Sequence, residues 1–158
     1  MQLLKIGAGV LNQTPLDWSG NAQRIKRAIH AAKSEHVKVL CLPEMCIPGY
    51  GFEDAILSPA VQETCLDALR ELLPHTNGIA VTLGLPIGFR NALFNAVCLV
   101  ADGEIRGFVA KQYLAGDGVH YEPRWFNPWP RGNRDTVRIG ESEYPIGDLL
   151  FDVDGIRL

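Results

Sequence analysis

The sequence predicts an α/β domain: a mixed sheet with its helices on one face. Three observations carry this. In the first half, apolar runs of strand length alternate with two amphipathic stretches of helical period. From residue 78 onward, strand-like runs follow one another with turn signals and no helix between them. Apolar residues make up 47% of the 158 residues, enough for a real core. A complete domain of this size buries roughly 70% of its unfolded surface. The order reads β-α-β-α-β-β-β, then a loop and further strand; early helices followed by an antiparallel meander give a mixed sheet.

Residues 4–11 form a short apolar run rich in Gly and Ala, expected as a buried strand. Residues 12–21 are polar turn sequence. Ala22, Ile25, Ile29 and Ala32 then mark one helix face, with Arg24, Lys26, Arg27 and Lys33 on the solvent side. Residues 37–42 are a second buried strand. Pro43 removes a donor and ends it, which presents Glu44 at its carboxyl end. Ser58 can cap a second helix and Pro59 suits its first turn. Val61, Cys65, Ala68, Leu69, Leu72 and Leu73 give its apolar stripe, and Pro74 stops it. Residues 78–88 and 93–100 read as strands. Asp102-Gly103 is a hairpin signal between residues 99–101 and 104–110, with Lys111 at the end of the last strand. Residues 116–140 are loop-rich, with three Pro and two Trp, a length that in a compact domain marks function or disorder. Residues 135–139 and 149–153 are later, shorter strands.

Charge and composition remove several function classes. The net charge is −3 and the pI about 5.8, with no basic run, so nucleic acid and anionic membranes are disfavoured as partners. No apolar stretch approaches the roughly 20 residues that span a bilayer. The N-terminus runs into a strand pattern without signal-peptide architecture, and a cytoplasmic location is expected. Cys41, Cys46, Cys65 and Cys98 read as reduced, buried thiols: Cys41 and Cys98 in strand cores, Cys65 on the apolar face of a helix. His30, His36, His75 and His120 are scattered, so no zinc site is expected; His120, in the loop-rich stretch, reads as solvent-exposed. Gly49-Tyr50-Gly51 lacks phosphate-loop spacing, and no nucleotide-binding motif is visible.

A buried carboxylate at a strand exit can act as a general base, and a lysine at a neighbouring exit can hold a developing oxyanion. Glu44 and Lys111 occupy such positions. Singly, each reads as an ordinary charged residue at a loop start. They gain weight as a set with Glu122, eleven positions beyond Lys111. Cys46 lies two residues from Glu44, but near neighbours on an extended segment point away from each other, so it is not read as a nucleophile.

The chain resembles the nitrilase, or carbon–nitrogen hydrolase, superfamily, and more closely the N-terminal glutaminase domain of glutamine-dependent NAD synthetases. The resemblance runs through Asn12-Gln13, Leu16-Asp17, Gly20-Asn21, Arg24-Ile25, Pro43-Glu44, Ile47-Pro48-Gly49-Tyr50-Gly51 and Asp54. It continues through Arg90-Asn91, Asn95, Lys111-Gln112-Tyr113-Leu114-Ala115 and Tyr121-Glu122-Pro123-Arg124-Trp125-Phe126, then Pro128-Trp129, Arg131 and Pro145-Ile146-Gly147-Asp148. The lysine motif speaks for the superfamily; the Arg-Trp-Phe-x-Pro-Trp-x-Arg run points to the synthetases.

That resemblance implies an α-β-β-α sandwich of the nitrilase type, here only its N-terminal portion, with residues 1–158 a partial glutaminase domain. It implies a Glu–Lys–Cys triad: Glu44 the general base, Lys111 the oxyanion stabiliser, and Glu122 a second active-site glutamate positioning the lysine and the substrate. Tyr50 would line the glutamine pocket, and Trp125 and Phe126 would close it. The substrate is L-glutamine, hydrolysed through a cysteine thioester, with the ammonia passing to a synthetase domain of the same polypeptide that amidates deamido-NAD. No cofactor is implied in this part; ATP and magnesium are expected at the synthetase domain. A homo-oligomer is expected.

The family's nucleophile sits in a Gly-x-Glu-x-Cys-Glu motif just past a strand, and none of the four cysteines here has that setting. The chain as given is therefore expected to be inactive toward glutamine and to leave apolar strand faces open to water or a neighbour. Two alternatives stay open: a portion of another nitrilase-class amidase, and a non-catalytic module keeping the fold. Placed at predicted strand exits, the carboxylates of Glu44 and Glu122 are expected near the Lys111 ammonium, at about 2.7–3.5 Å for at least one pair.

Overall fold

The computed structural model describes residues 3–118 and 121–157. Seven strands form one mixed sheet: β1 (Ile6–Ala8), β2 (Val39–Cys41), β3 (Ala80–Phe89), β4 (Ala92–Ala101), β5 (Glu104–Ala110), β6 (Arg134–Ile139) and β7 (Ser142–Gly147). Their spatial order is β1-β2-β3-β4-β5-β7-β6. β1, β2 and β3 run parallel, β3, β4 and β5 form the antiparallel meander, and β7 pairs parallel with β5 and antiparallel with β6. A short hairpin, β8 (Asp152–Val153) and β9 (Ile156–Arg157), follows. Among the described residues, three α-helices, α1 (Trp18–Ser34), α2 (Pro59–Leu72) and the one-turn α3 (Glu122–Trp125), and two short 3-10 helices, Glu53–Leu57 and Leu73–Thr76, complete the elements.

The two hairpins of the meander have the same cause. Asp102 and Gly103 sit at φ 54° and 78°, and Arg90 and Asn91 at 47° and 61°. Positive φ at both central residues twists a two-residue loop to match its strands. Only the Asp-Gly pair announces itself in sequence.

Both long helices pack on one face of the sheet. Ile25, Ile29, Leu69 and Leu72 are essentially fully buried against Leu40, Val81, Leu83 and Leu85. Burying each of these side chains contributes about 1.5–3 kcal/mol. Strand alternation sends Val39, Ala80 and Leu99 to the other face, where Leu4, Phe151 and Val153 make a smaller cluster with them.

Several expectations need correction. The first strand is shorter than residues 4–11 and is not buried: β1 is an edge strand with Ile6 half-exposed, since only β2 pairs with it. α1 begins at Trp18, inside the stretch read as turn, because the Asp17 carboxylate accepts the Gly20 N–H and caps it. Cys41 is exposed rather than a core thiol: Leu40 and Leu42 point toward the helices, so Cys41 points to the thinly covered face. β7 was not expected. Pro145 argues against a strand, but it lies opposite Thr136 of β6, and β7 meets β5 only through Ile146 and Gly147. Of residues 149–153 only Asp152 and Val153 are strand. Within the loop-rich stretch, Glu122–Trp125 is helical. His120 lies outside the described residues.

Candidate active site

β2 and β5 run in the same direction through the intervening antiparallel steps, so their carboxyl ends open on the same edge of the sheet. Ligands of open α/β sheets gather at such carboxyl ends. Glu44 follows β2 and Lys111 follows β5.

The turn carrying Glu44 is held from two sides. Against β3, Ile47 N–H donates to the Gly84 carbonyl at 3.1 Å. A Cβ on Gly84 would stand 2.4 Å from the Met45 nitrogen, so only glycine lets the turn approach this closely. From the helix side, Asn21 Nδ2 donates to Thr14 O at 2.8 Å and Ile47 O at 3.1 Å, while Gln13 Nε2 donates to Cys46 O. Arg24 ties this layer together through Gln13 Oε1 at 2.9 Å and Asp17 Oδ2 at 2.9 Å. The Gln13, Asp17, Asn21 and Arg24 positions thus act by fixing a loop.

Lys111 is fixed by the sheet itself. Its N–H donates to Asn95 O at 2.8 Å, and its carbonyl accepts Trp129 N–H at 2.9 Å. Trp129 packs on Phe94 with ring centroids 4.9 Å apart and on Phe89 at 5.6 Å. Glu122 opens α3; its N–H donates to Ala115 O at 3.1 Å and its carboxylate accepts the Ala115 N–H, closing that loop on itself.

These elements bring the three expected catalytic residues together. Lys111 Nζ donates to Glu44 Oε1 at 2.9 Å and to Glu122 Oε1 and Oε2 at 3.0 and 2.9 Å. The Glu122 side chain is 1% exposed and that of Lys111 31%. Burial works against the Lys111 ammonium, but its hydrogen bonds to Glu122 and Glu44 outweigh that and hold its pKa above the ordinary lysine value. Burial likewise pushes Glu122 up, yet the hydrogen bonds it accepts from the Ala115 N–H and Lys111 bring it down to about 2. Tyr50 OH donates to Glu122 Oε1 at 3.4 Å; burial first, and the charges of Glu122 and Glu44 next, raise its phenol to about 12, so it stays a neutral donor.

One residue of this cluster has no role in the sequence reading: Asn95, on β4. Its Nδ2 donates to Glu122 Oε1 at 2.9 Å and also to Glu44 Oε1. The available signal was a polar residue inside an otherwise apolar run, Leu93 to Leu99.

Beside the cluster lies an apolar cavity of about 380 Å3. Tyr50, Trp125 and Phe126, the three expected substrate-binding residues, all line it, with Met45, Phe52 and Ile56. Its two walls, the segment after Tyr50 and α3, are pinned across the rim. Arg124 Nε and an Nη donate to the two Asp54 oxygens at 2.8 and 2.7 Å, and Trp125 Nε1 donates to Asp54 Oδ1 at 2.9 Å. A second cavity of about 330 Å3 is lined by Glu44, Asn95 and Lys111. A larger cleft of about 570 Å3 lies at the opposite end of β3 and β4, beside β8, where Arg106 pairs with Glu104. Volume alone favours neither the cluster nor that cleft, since a shallow cleft of about 690 Å3 lies beside Gln62, Arg90 and Asn127. Convergent charge on a neutral-pH scaffold favours the Lys111 cluster, and we place the site there.

No cysteine among the four joins this cluster. The Cys46 thiol is buried, accepts the Gly84 N–H at 3.3 Å, and is pushed up to about 12 by burial. Burial also raises Cys65, to about 12, and Cys98. A thiol held protonated in this way is inert. Among the described residues no three His, Cys, Asp or Glu side chains gather to hold a metal ion, and no helix is long and apolar enough to cross a membrane.

Comparison with known proteins agrees with the fold. Residues 5–157 match the carbon-nitrogen hydrolase family. The chain is 33% identical over 163 residues to a glutamine-dependent NAD(+) synthetase of Dictyostelium discoideum, covering 96% of this chain and 23% of that one. Over 145 residues it is 36% identical to the corresponding synthetase of Rattus norvegicus, covering 90% of this chain and 19% of the relative. Among solved structures, a glutamine-dependent NAD(+) synthetase from Cytophaga hutchinsonii superposes with a TM-score of 0.94 at 45% identity, covering 98% of this chain and 27% of that one. The match falls in the N-terminal part of these synthetases, and the chain spans about a quarter of their length or less.

Proposed function

The chain belongs to the carbon–nitrogen hydrolase family, and from that premise we propose that it serves the release of ammonia from the side-chain amide of L-glutamine. In this reading residues 1–158 are part of a glutaminase domain. The observation that carries it is the Lys111 ammonium held between the Glu44 and Glu122 carboxylates, next to an apolar cavity of about 380 Å3.

Each residue then has a defined task. Among the described residues nothing donates to Glu44 Oε2, while Oε1 is occupied by Lys111 and Asn95. Oε2 is the oxygen free to take a thiol proton. The thiolate attacks the amide carbon, and the oxyanion that develops is stabilised by the open side of the Lys111 ammonium. Glu44 returns its proton to the departing ammonia and leaves a thioester. It then takes a proton from water, which adds to the thioester; glutamate leaves and the thiol is restored. Glu122 keeps Lys111 charged and in place. Tyr50, Trp125 and Phe126 hold the aliphatic part of the substrate. The thiol itself is assigned to a cysteine outside these 158 residues, because Cys46, Cys65 and Cys98 are buried and the exposed Cys41 lines neither cavity at the cluster. The ammonia is consumed by ATP-dependent amidation of deamido-NAD at a synthetase domain of the same polypeptide, where ATP and magnesium act.

The test is direct. The protein as its gene encodes it is incubated with L-glutamine, L-asparagine and short aliphatic amides, and ammonia and carboxylic acid are measured. Glutamate and ammonia in equal amounts, with glutamine preferred, is the expected result. Preference for an aliphatic amide would replace this reading with a free-standing amidase, and no hydrolysis of any amide would leave a fold without the activity.

A further inference from the structure

Asn95 stands apart from its strand. β4 is otherwise built of apolar side chains at this level, and Asn95 is only 4% exposed. A primary amide in such a place costs free energy unless its hydrogen bonds are made. Phe94 and Ala96 belong to the cluster under the helices, so strand alternation sends Asn95 to the opposite face, toward Glu44, Lys111 and Glu122. It touches all three. Its carbonyl accepts the Lys111 N–H at 2.8 Å, and its Nδ2 donates to Glu122 Oε1 at 2.9 Å and to Glu44 Oε1.

The electrostatics of the cluster give this arrangement a purpose. Two carboxylates share one ammonium, which leaves one negative charge uncompensated. Like charges at this separation favour protonation of one of the pair. The titratable groups that interact with Glu44 are Lys111 after β5, Glu122 on α3 and Tyr50 after β2, and Tyr50 is a neutral donor to Glu122. An Asn amide carries two N–H protons and no charge. One proton to each carboxylate does the work of two waters without adding a charge. It also fixes orientation, because the Glu44 oxygen it engages is the one that Lys111 holds, which leaves the other oxygen free of both.

We propose that Asn95 is a positioning residue for the reaction: it holds Glu44 and Glu122 side by side in their charged forms and turns the free Glu44 oxygen toward the reacting atoms. This rests on the reading of Glu44 as the general base given above. Without Asn95 the cluster takes up its first proton at higher pH, as a unit rather than at one residue, and a protonated base is no base.

The experiment compares the full-length protein with Asn95→Ala and with Asn95→Asp, an isosteric change that keeps the packing. Glutamine hydrolysis is followed against pH. Both variants are expected to lose about tenfold or more in kcat at neutral pH, with KM for glutamine little changed. The acidic limb of the kcat profile should move up by about one pH unit in Asn95→Ala and further in Asn95→Asp, which adds a third carboxylate. A carbon-13 titration of the Glu122 carboxyl should move in the same sense. A lower kcat on an unshifted limb, or a loss confined to KM, would make Asn95 structural and overturn the proposal. A wild type that does not hydrolyse glutamine would overturn the functional reading instead; the carboxyl titration then decides on Asn95 by itself, an unmoved midpoint counting against it.

Discussion

Two ion pairs leave the same one-turn helix in opposite directions. Glu122, at the start of α3, turns inward to Lys111 and is 1% exposed. Arg124, two residues on, turns outward to Asp54 with its side chain 61% exposed. By geometry the outer pair is the better one, a fork of two N–H groups on two carboxylate oxygens reinforced by Trp125. Yet exposed pairs are screened by water and salt and add little to stability. The inner contacts centre on a Glu122 carboxylate that solvent does not reach, so a lost partner there leaves a charge without compensation. The difference teaches that the outer pair shapes the cavity wall, whereas the inner one sets the charge state of the site.

The largest effect should come from breaking the inner side. Lys111→Met leaves Glu44 and Glu122 facing each other without an ammonium. Removing one partner of a buried pair costs about 3–5 kcal/mol, and the lower end applies because Lys111 is still a third exposed. Glutamine hydrolysis should fall by about 10²–10³ or more, as for loss of an oxyanion donor. Denaturant unfolding and a steady-state assay measure the two effects. A folded variant with near-normal hydrolysis would remove Lys111 from the reaction.

An intermediate effect follows from pH. Glu122 has a folded pKa of about 2, below its unfolded value of about 4.3. Its contribution to stability is therefore present above about pH 4.3 and is lost as pH falls through about 2. Lys111 is raised, so its contribution is present below its unfolded value of about 10.4 and is lost as pH rises through the still higher folded value. Melting temperature should form a plateau between these limits and fall outside them. In Glu122→Gln the acid edge should flatten; an unchanged acid edge would show that other carboxylates set it.

The smallest effect belongs to the outer side. Asp54→Asn should move the melting temperature by no more than a few degrees, while KM for glutamine rises severalfold because the two cavity walls lose their tie. A change in kcat with KM unaltered would mean that the outer pair reaches the charge cluster after all, and would erase the contrast between the two ends of α3.

What could be read in the sequence follows the same division. Glu44 and Lys111 were legible because strand exits are marked by a proline stop and a hairpin, and those local signals survive folding. Glu122 was singled out beside them, but its role was legible only through the family resemblance, since nothing local indicates that a glutamate opening a one-turn helix will be buried. Asn95 escaped as a site residue because its neighbours in sequence are core residues, while its partners lie 51 and 27 residues away. The outer tie escaped for the same reason: Asp54 and Arg124 are 70 residues apart. β7 and the early start of α1 were missed through Pro145 and an unrecognised Asp17 cap, both settled by neighbours rather than by propensity.

The measurement that bears most directly on the central claim uses two nitrogen sources. In the full-length protein carrying Glu44→Gln, NAD synthesis from deamido-NAD and ATP is followed with L-glutamine and, separately, with free ammonium. The substitution keeps the shape of the side chain and removes its ability to take a proton. Synthesis from glutamine should be lost while synthesis from ammonium continues near the wild-type rate. Equal rates from both sources would contradict the role given to Glu44, and with it the assignment of this cluster to amide hydrolysis.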